Sequence, residues 1–231
     1  MDIRTVIMCH NTPRTTETLY AQLSGMGKVE VFDSGSDEDK RPECPCERFG
    51  NLYWTGCWEE AMRRHGDADF LWVVGGDVSL KDEPWKYYKA MEEVAKYDVA
   101  CWSPAVEGSC RGVMSKEEAG NKVWSVYHVE GIAMAASKRL MKEMGFGFPA
   151  ASRCGWGLDM WMNCLGWEKG MRNVLDGRVS MVHPDVRGYD SQDAWDEMCS
   201  WLGDLYGKEW MSKVRFNTRD GFMENIREVG A

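Results

Sequence analysis

The amino-acid sequence predicts an α/β protein built on a central, mostly parallel β-sheet, and three observations support this prediction. Within residues 1–102, apolar and β-branched runs alternate with amphipathic stretches, in the order strand, helix, strand, helix, strand, helix, strand. The run 70–74 is apolar at every position, which is typical of a strand buried on both faces. The length of 231 residues allows one large domain or two small ones, and a sizeable core in either case.

Each element of the first half has a local signal. Strands are predicted where β-branched and apolar residues run together, at residues 4–9, 28–32, 70–74 and 99–102. The first helix starts at Thr12-Pro13, because proline fits the first helical turn, and it stops before Gly25 and Gly27. Two further helices are predicted from their apolar stripes, at residues 54–66 and 84–96. The polar, proline-containing segment 37–50 is predicted to be a loop.

The second half mixes strands and helices less regularly. Apolar and polar residues alternate from Val123 to Val129, which predicts a half-exposed strand. The other elements are predicted from the same signals, namely strands at 131–136 and 179–182 and helices at 138–144, 158–165 and 194–205. The glycine-rich segment 146–157 is predicted to be a loop, and the strand at 179–182 ends at His183.

Composition excludes some classes of function. The chain has 28 Lys and Arg against 37 Asp and Glu, a net charge of −9, which argues against a dedicated nucleic-acid clamp. Nine cysteines without Cys-x-x-Cys spacing indicate reduced thiols rather than a zinc site or a disulfide framework. No apolar run approaches the roughly 18 residues that span a bilayer, and the N-terminus lacks the pattern of a signal peptide. We therefore expect a cytoplasmic protein without a membrane span.

Polar residues follow two of the predicted strands, at the sheet edge where ligands of parallel sheets bind. Asp33-Ser34-Gly35-Ser36 offers a carboxylate to a base or ribose, but these are also the commonest turn residues. Gly75-Gly76-Asp77 offers one carboxylate where the backbone can closely approach a ligand, or it is simply a glycine turn. A single carboxylate is a weak metal signal, because hard cations take several oxygen ligands.

Two further candidates lie in the second half. Asp159 falls in the first turn of a helix, directly after Gly155-Trp156-Gly157. It is either a general base beside an aromatic platform or an aspartate that favours the helix dipole. His183, at a strand end, is either a metal ligand or a buried, hydrogen-bonded histidine.

Taken in order, these motifs resemble those of family-2-like glycosyltransferases with the GT-A fold, over about residues 5–184. The segments that carry the resemblance are Val31-Phe32-Asp33-Ser34-Gly35-Ser36, residues 51–69, residues 71–78, Val129-Glu130-Gly131-Ile132-Ala133-Met134, Gly155-Trp156-Gly157-Leu158-Asp159 and residues 179–183. The fifth segment also resembles the Gly-Trp-Gly-acid run of galactosyltransferases. Two positions depart from the pattern: Gly75 replaces the first acid of the metal motif, and Leu158 replaces the first acid of a Glu-Asp pair.

The resemblance implies a GT-A-like three-layer sandwich, with a central, mostly parallel sheet and a mixed C-terminal half. Residues 1–231 would form one domain, with a nucleotide-binding half at 1–102 and an acceptor-binding half at 103–231. The implied activity is inverting transfer of a hexose from a nucleotide-sugar, with a UDP-sugar favoured, to an acceptor hydroxyl. The acceptor would be a glycan, a protein, a lipid-linked sugar or a modified nucleic-acid base.

The resemblance also assigns a role to each candidate residue. The donor nucleotide would be bound by Asn11, Asp33, Ser36 and Gly76. Asp77 and His183 would hold Mn²⁺ or Mg²⁺, with the metal dependence put in question by Gly75. Trp156 would stack on a sugar ring, and Asp159 would act as the general base.

Two alternatives stay open from the sequence alone. One is another nucleotide-using transferase on an α/β sheet, such as a nucleotidyltransferase, although segment 9–13 lacks a glycine-rich phosphate loop. The other is a non-catalytic nucleotide- or sugar-binding module that has lost metal affinity, which Gly75 keeps possible. UDP binding with and without Mn²⁺ distinguishes the module from the enzyme.

Overall fold

The computed structural model describes residues 1–108, 115–148, 152–184, 191–214 and, for the backbone alone, 227–228. Its strands are β1 Ile3–Cys9, β2 Lys28–Ser34, β3 Glu47–Phe49, β4 Phe70–Gly75, β5 Ser79–Leu80, β6 Val99–Gly108, β7 Val123–Val126, β8 Ala133–Ser137, β9 Arg172–His183 and β10 Arg227–Glu228. Its α-helices are α1 Pro13–Leu23, α2 Tyr53–His65, α3 Pro84–Val94, α4 Lys116–Ala119, α5 Lys138–Glu143, α6 Leu158–Glu168, α7 Ser191–Tyr206 and α8 Trp210–Lys213. The alternation predicted for the first half is therefore present.

The described strands form one sheet in the order β10-β7-β9-β6-β8-β4-β1-β2-β3, with β5 added to β9. Strands β3, β2, β1 and β4 all pair in parallel. Strand β8 is antiparallel to both β4 and β6, β9 is parallel to β6, and β7 is antiparallel to β9. The prediction of an α/β fold with a mixed C-terminal half is confirmed, and the uninterrupted parallel pairing lies in the first half.

Helices cover both faces of the sheet and give it three layers. Strand β4 is buried along its whole length, and its residues alternate between the two apolar layers. On one face, α1 and α3 pack around Trp72, whose ring stacks on Tyr87 at a centroid distance of 5.8 Å and meets Trp102 edge-on. On the other face, α2, α5, α6 and α7 pack around Leu71 and Val73. Several of the tryptophans are therefore core residues.

Besides the short elements β5, α4, α8 and β10, which were not predicted, the structure differs from the sequence prediction in its strands. The predicted loop 37–50 contains β3, a short polar strand that pairs with β2 and places Phe49 edge-on against Phe32 at 5.1 Å. Strands β6 and β9 are longer than predicted, because irregular pairing near Pro104 lets the ladder continue past the proline. The strand predicted at 123–129 ends at Val126, and the next residues form a loop.

The eight cysteines that the structure describes are all free, as expected for reduced thiols. Within the described ranges, none of the helices has the length and apolar character needed to cross a bilayer. The division into a nucleotide-binding and an acceptor-binding half stays a prediction.

Candidate active site

The candidate residues of the first half lie at the carboxyl ends of neighbouring parallel strands. Asn11 follows β1, Asp33 lies at the end of β2, and Asp77 follows β4. Strand β8 is antiparallel to both β4 and β6, so β6 and its parallel neighbour β9 run in the same direction as β4. His183, the last residue of β9, therefore lies at the same edge of the sheet as Asp77.

Hydrogen bonds bring Asn11, Asp33 and Ser36 together. Asp33 is only 2% exposed, and its Oδ1 accepts the backbone N–H of Ser36 at 3.1 Å. Asn11 donates its backbone N–H to Ser36 Oγ at 2.9 Å, and its side-chain Oδ1 accepts the N–H of Asp37 at 2.8 Å. The turn expected from the sequence is present, and its hydrogen bonds tie the end of β2 to the segment that follows β1.

Gly35 allows this turn, since it has φ of +70° and a Cβ there would lie 2.9 Å from the backbone nitrogen of Asn51. Gly76 is equally constrained, because its N–H donates to the Met8 carbonyl at 2.7 Å and a Cβ would lie 2.4 Å from Thr16 Oγ1. Its carbonyl accepts from Thr16 Oγ1 at 3.2 Å. The polar groups of Gly76 therefore hold the end of β4 against β1 and α1, and its role in donor binding stays a prediction.

Asp77 and His183 form a pair suited to a divalent cation. Asp77 Oδ2 lies 3.2 Å from His183 Nε2, and the side chains are 29% and 14% exposed. A carboxylate oxygen and an imidazole nitrogen suit Mn²⁺, which accepts both donor types. Among the residues that the structure describes, no group of three or more His, Cys, Asp or Glu side chains could hold a metal. Asp77 and His183 alone supply two ligands, and metal binding by this pair stays a prediction.

Gly75 stands at the position where the resemblance leads one to expect an acid, and it lies against Asp77 and Ile132. Gly75 donates its N–H to the Ile132 carbonyl at 2.8 Å. A Cβ at Gly75 would lie 2.8 Å from both Asp77 Oδ1 and Ile132 Cδ1. A side chain here would displace the Asp77 carboxylate and the end of the Ile132 side chain, so glycine at this position leaves Asp77 where the structure has it.

A close approach between the ends of β6 and β9 holds His183 in place. A Cβ on Gly108 would lie 2.0 Å from the His183 carbonyl oxygen, and Gly108 has φ of +111°.

We expect Gly108→Ala to destabilise the fold by roughly 2–4 kcal/mol, from steric overlap added to backbone strain. Gly170→Ala is the matched control, since Gly170 has φ of +73° with nothing near its Cβ position, and about 1–2 kcal/mol is expected there. Equal losses in urea unfolding would contradict the close approach.

Asp159 is paired with a histidine that the sequence analysis did not single out. Its Oδ2 lies 3.0 Å from His128 Nε2 and accepts the N–H of Gly131 at 3.2 Å. Its Oδ1 accepts the N–H of Met160 at 2.9 Å. The side chains of Asp159 and His128 are 16% and 15% exposed. No local pattern marks His128, because it lies 31 residues from Asp159 in a stretch whose alternation suggested a strand.

The two side chains shift each other's pKa. Burial disfavours both charged forms, but their mutual attraction and hydrogen bond outweigh it. The pKa of Asp159 is therefore lowered, with help from the N–H groups of Met160 and Gly131. The pKa of His128 is raised, with a smaller contribution from the charge of Glu130.

Two buried asparagines hold the loop that carries His128 against helix α6. Asn163 donates to the carbonyls of Asp159 and Val129, at 2.6 and 3.2 Å, and accepts the N–H of Val129 at 3.2 Å. Asn173 donates to the carbonyls of Tyr127 and Asn163, at 3.0 and 2.9 Å. Tyr127 and Val129 flank His128, and the backbone of each is hydrogen-bonded to an asparagine side chain. These bonds fix His128 relative to Asp159.

A dipeptide connects the base candidate with the metal candidate. Gly131 donates its N–H to Asp159, and the next residue, Ile132, accepts the N–H of Gly75, two positions before Asp77. The structure therefore brings Asp159 and Asp77 to the two sides of one short segment at the same sheet edge.

Trp156 is less open than an aromatic platform would be. Its carbonyl accepts from Trp201 Nε1 at 3.2 Å, and its half-buried side chain packs against the apolar core beside α6 and α7. Sugar stacking by Trp156 stays a prediction.

Comparisons with known proteins identify the fold. No protein-family model matches the chain, and no curated protein matches it by sequence. The structure of GalNAc-T7 with UDP, GalNAc and Mn²⁺ superimposes with a TM-score of 0.69 at 10% identity, over 91% of this chain and 50% of that one. The structure of S. aureus TarS 1–349 with UDP-GlcNAc gives a TM-score of 0.58 at 12% identity, over 93% of this chain and 70% of that one. Both are GT-A-fold glycosyltransferases, and the predicted GT-A resemblance is confirmed at the level of the fold.

This chain spans only half the length of the GalNAc-T7 chain that it resembles.

Proposed function

We propose that this protein is a glycosyltransferase that moves a hexose from a UDP-sugar to an acceptor hydroxyl, with inversion and with the help of a divalent cation. One observation carries the proposal: three groups lie along one edge of the sheet in a GT-A fold, namely the turn at Asp33, the Asp77–His183 pair and the Asp159–His128 pair. The neighbours in fold were crystallised with UDP, with UDP-GlcNAc, and with UDP, GalNAc and Mn²⁺.

The donor would bind with its nucleoside at the end of β2 and its diphosphate at the end of β4. Asp33 would accept a hydrogen bond from the base or ribose with the carboxylate oxygen that the N–H of Ser36 does not occupy. Asp77 and His183 would hold Mn²⁺ or Mg²⁺ against the diphosphate. The bound cation would neutralise the negative charge that develops on the leaving UDP.

The acceptor would approach from the side of Asp159. The pair formed by Asp159 and His128 would remove the proton of the acceptor hydroxyl as its oxygen attacks the anomeric carbon. Attack from the face opposite the leaving diphosphate inverts the configuration at that carbon. Trp156, next to the start of α6, would contact the sugar of donor or acceptor.

A donor screen tests this proposal without knowledge of the acceptor, because water can replace the acceptor in a slow hydrolysis of the donor. We expect the protein with Mn²⁺ to release UDP from at least one of UDP-glucose, UDP-galactose, UDP-GlcNAc and UDP-GalNAc. GDP-mannose is the control donor. Absence of hydrolysis of all four UDP-sugars, together with absence of UDP binding in calorimetry, would contradict the proposed function.

Asp33→Ala is expected to weaken binding of uridine and UDP by about 10–100-fold, with or without Mn²⁺, because a charge-assisted hydrogen bond is lost. Calorimetry with uridine, which carries no phosphate, isolates this effect from the metal. Asp37→Ala, on the exposed side of the same turn, is the control and should bind normally. Unchanged uridine affinity in Asp33→Ala would show that Asp33 only shapes the turn and does not bind the nucleoside.

A further inference from the structure

We infer that His128, rather than Asp159 itself, receives the proton of the acceptor, and that Asp159 orients His128 and stabilises its charged form. This inference rests on the proposed transferase function and adds a catalytic residue to it. It starts from the geometry of the imidazole ring. His128 Nε2 lies 3.0 Å from Asp159 Oδ2, and an ionised carboxylate accepts hydrogen bonds only, so Nε2 carries the hydrogen of the pair.

The other ring nitrogen of His128 is then available as a base. With the hydrogen on Nε2, Nδ1 of a neutral imidazole carries a lone pair. In the part of the chain that the structure describes, Nδ1 has no hydrogen-bond partner. Asn173 Oδ1 is the one fully enclosed side-chain atom there without a partner, so Nδ1 is not fully enclosed. Nδ1 is therefore the ring nitrogen to which an acceptor hydroxyl would donate.

Asp159 is the weaker base of the two. Its carboxylate already accepts hydrogen bonds from His128 Nε2, Gly131 N–H and Met160 N–H, and each of these stabilises the anion. Its pKa is accordingly lowered from an ordinary value that is already far below neutral. General-base catalysis is most efficient when the pKa of the base lies near the working pH, which favours the imidazole.

Two charges in the described part of the chain act on His128, and both support its protonated form. Asp159 on α6 and Glu130 on the same loop both act to raise the pKa of His128 against the effect of burial. On the neighbouring strand β6, burial and the charge of Asp159 raise the pKa of the Cys101 thiol, so this group is neutral. The imidazolium that forms during the reaction is thus stabilised by the groups that face it.

The proposed step balances as follows. The acceptor oxygen forms a bond to the anomeric carbon of the donor while its proton moves to His128 Nδ1. The bond between the anomeric carbon and the diphosphate oxygen breaks, and its electron pair leaves with UDP. His128 ends as an imidazolium paired with Asp159, and it afterwards releases the proton to solvent.

This assignment predicts how the rate depends on pH. Protonated His128 cannot accept a proton, so kcat/KM for hydrolysis of a UDP-sugar should fall as the pH is lowered through the raised pKa of His128, above its ordinary value of about 6.5. If Asp159 were the direct base, the rate would hold down to the lowered pKa of Asp159, below its ordinary value of about 4. The two cases differ by more than two pH units.

The test compares His128→Gln with the wild-type protein, using the UDP-sugar that the donor screen identifies. Glutamine can still donate to Asp159 but cannot take up a proton, so hydrolysis should fall by about 10²–10⁴-fold while UDP affinity stays within about twofold. His65→Gln is the matched control, since His65 is a buried histidine whose Nε2 lies 3.1 Å from Glu30, away from the site. It should leave both the rate and the pH dependence unchanged.

A measurement that does not depend on activity completes the test. Nitrogen-15 NMR of the histidine rings reports which nitrogen of His128 carries the hydrogen, and at which pH the ring is protonated. We expect hydrogen on Nε2 in neutral His128 and a lower ring pKa in Asp159→Asn. A neutral ring with hydrogen on Nδ1 would overturn the inference, as would hydrolysis by His128→Gln within a few-fold of wild type. The proposed function fails on a different result, namely absence of both UDP binding and hydrolysis of all four UDP-sugars by the wild-type protein.

Discussion

Replacing Asp159 with asparagine is expected to lower UDP-sugar hydrolysis and sugar transfer by about 10²–10⁴-fold. Asparagine keeps the size of the side chain and can still accept the N–H of Met160 at the start of α6. It carries no charge, so it neither stabilises the imidazolium of His128 nor fixes the hydrogen on Nε2. The loss should therefore appear in kcat, because the charged partner is needed only while the proton moves.

The donor should bind Asp159→Asn as well as it binds the wild type. Asp159 contacts His128 and backbone N–H groups, and it makes no contact with the turn at Asp33. Calorimetry with UDP and Mn²⁺ measures this. The rival explanation is an aspartate that only favours the helix dipole; asparagine would then cost about 0.3–1 kcal/mol of stability and leave turnover near normal. Asp193→Asn, in the first turn of α7, is the matched control for a helix-start effect. Activity of Asp159→Asn within a few-fold of wild type would contradict the catalytic assignment.

Replacing Asp77 with alanine is expected to abolish the part of UDP binding that depends on Mn²⁺. Asp77 and His183 are the proposed protein ligands of the cation, so alanine leaves a single imidazole nitrogen. Loss of a direct ligand should weaken metal affinity by at least the roughly 10–100-fold that loss of an outer partner costs. The fold should persist, because the Asp77 side chain is 29% exposed and adds little to the core.

The measurement is UDP titration of Asp77→Ala with Mn²⁺ and with a chelator, beside Asp204→Ala as a control on the exposed face of α7. We expect the two Asp77→Ala titrations to coincide at low affinity and the control to match the wild type. Asp77→Ala that still binds UDP with full affinity and metal dependence would show that the metal site lies elsewhere. Wild-type binding that is indifferent to Mn²⁺ would favour the non-catalytic binding module.

The sequence predicted those parts of the site that depend on strand ends. Asp33 and Asp77 each follow a run of apolar residues, and parallel strands necessarily bring such ends to one edge. The pairing of Asp77 with His183, 106 residues later, was expected only from the order of motifs, since it depends on β8 lying between β4 and β6.

The partner of Asp159 could not be predicted, for a physical reason that the structure makes clear. The alternating residues 123–129 are suited to a strand, but the side chain of Asn163 captures both backbone groups of Val129. This side chain takes the place of a neighbouring strand, so β7 stops at Val126 and the chain turns to present His128. Strand β3 was missed because three residues with two charges carry too little hydrophobic pattern.

Strand β8 has a consequence for how the chain folds. It fills the gap between β4 and β6, although it is made after both of them. Until residue 137 has been synthesised, β4 has no partner on the side that β8 occupies. All six residues of β4 are buried in the folded protein. Unpaired apolar edges recruit other strands, so we expect residues 1–102 made alone to aggregate more readily than the full chain.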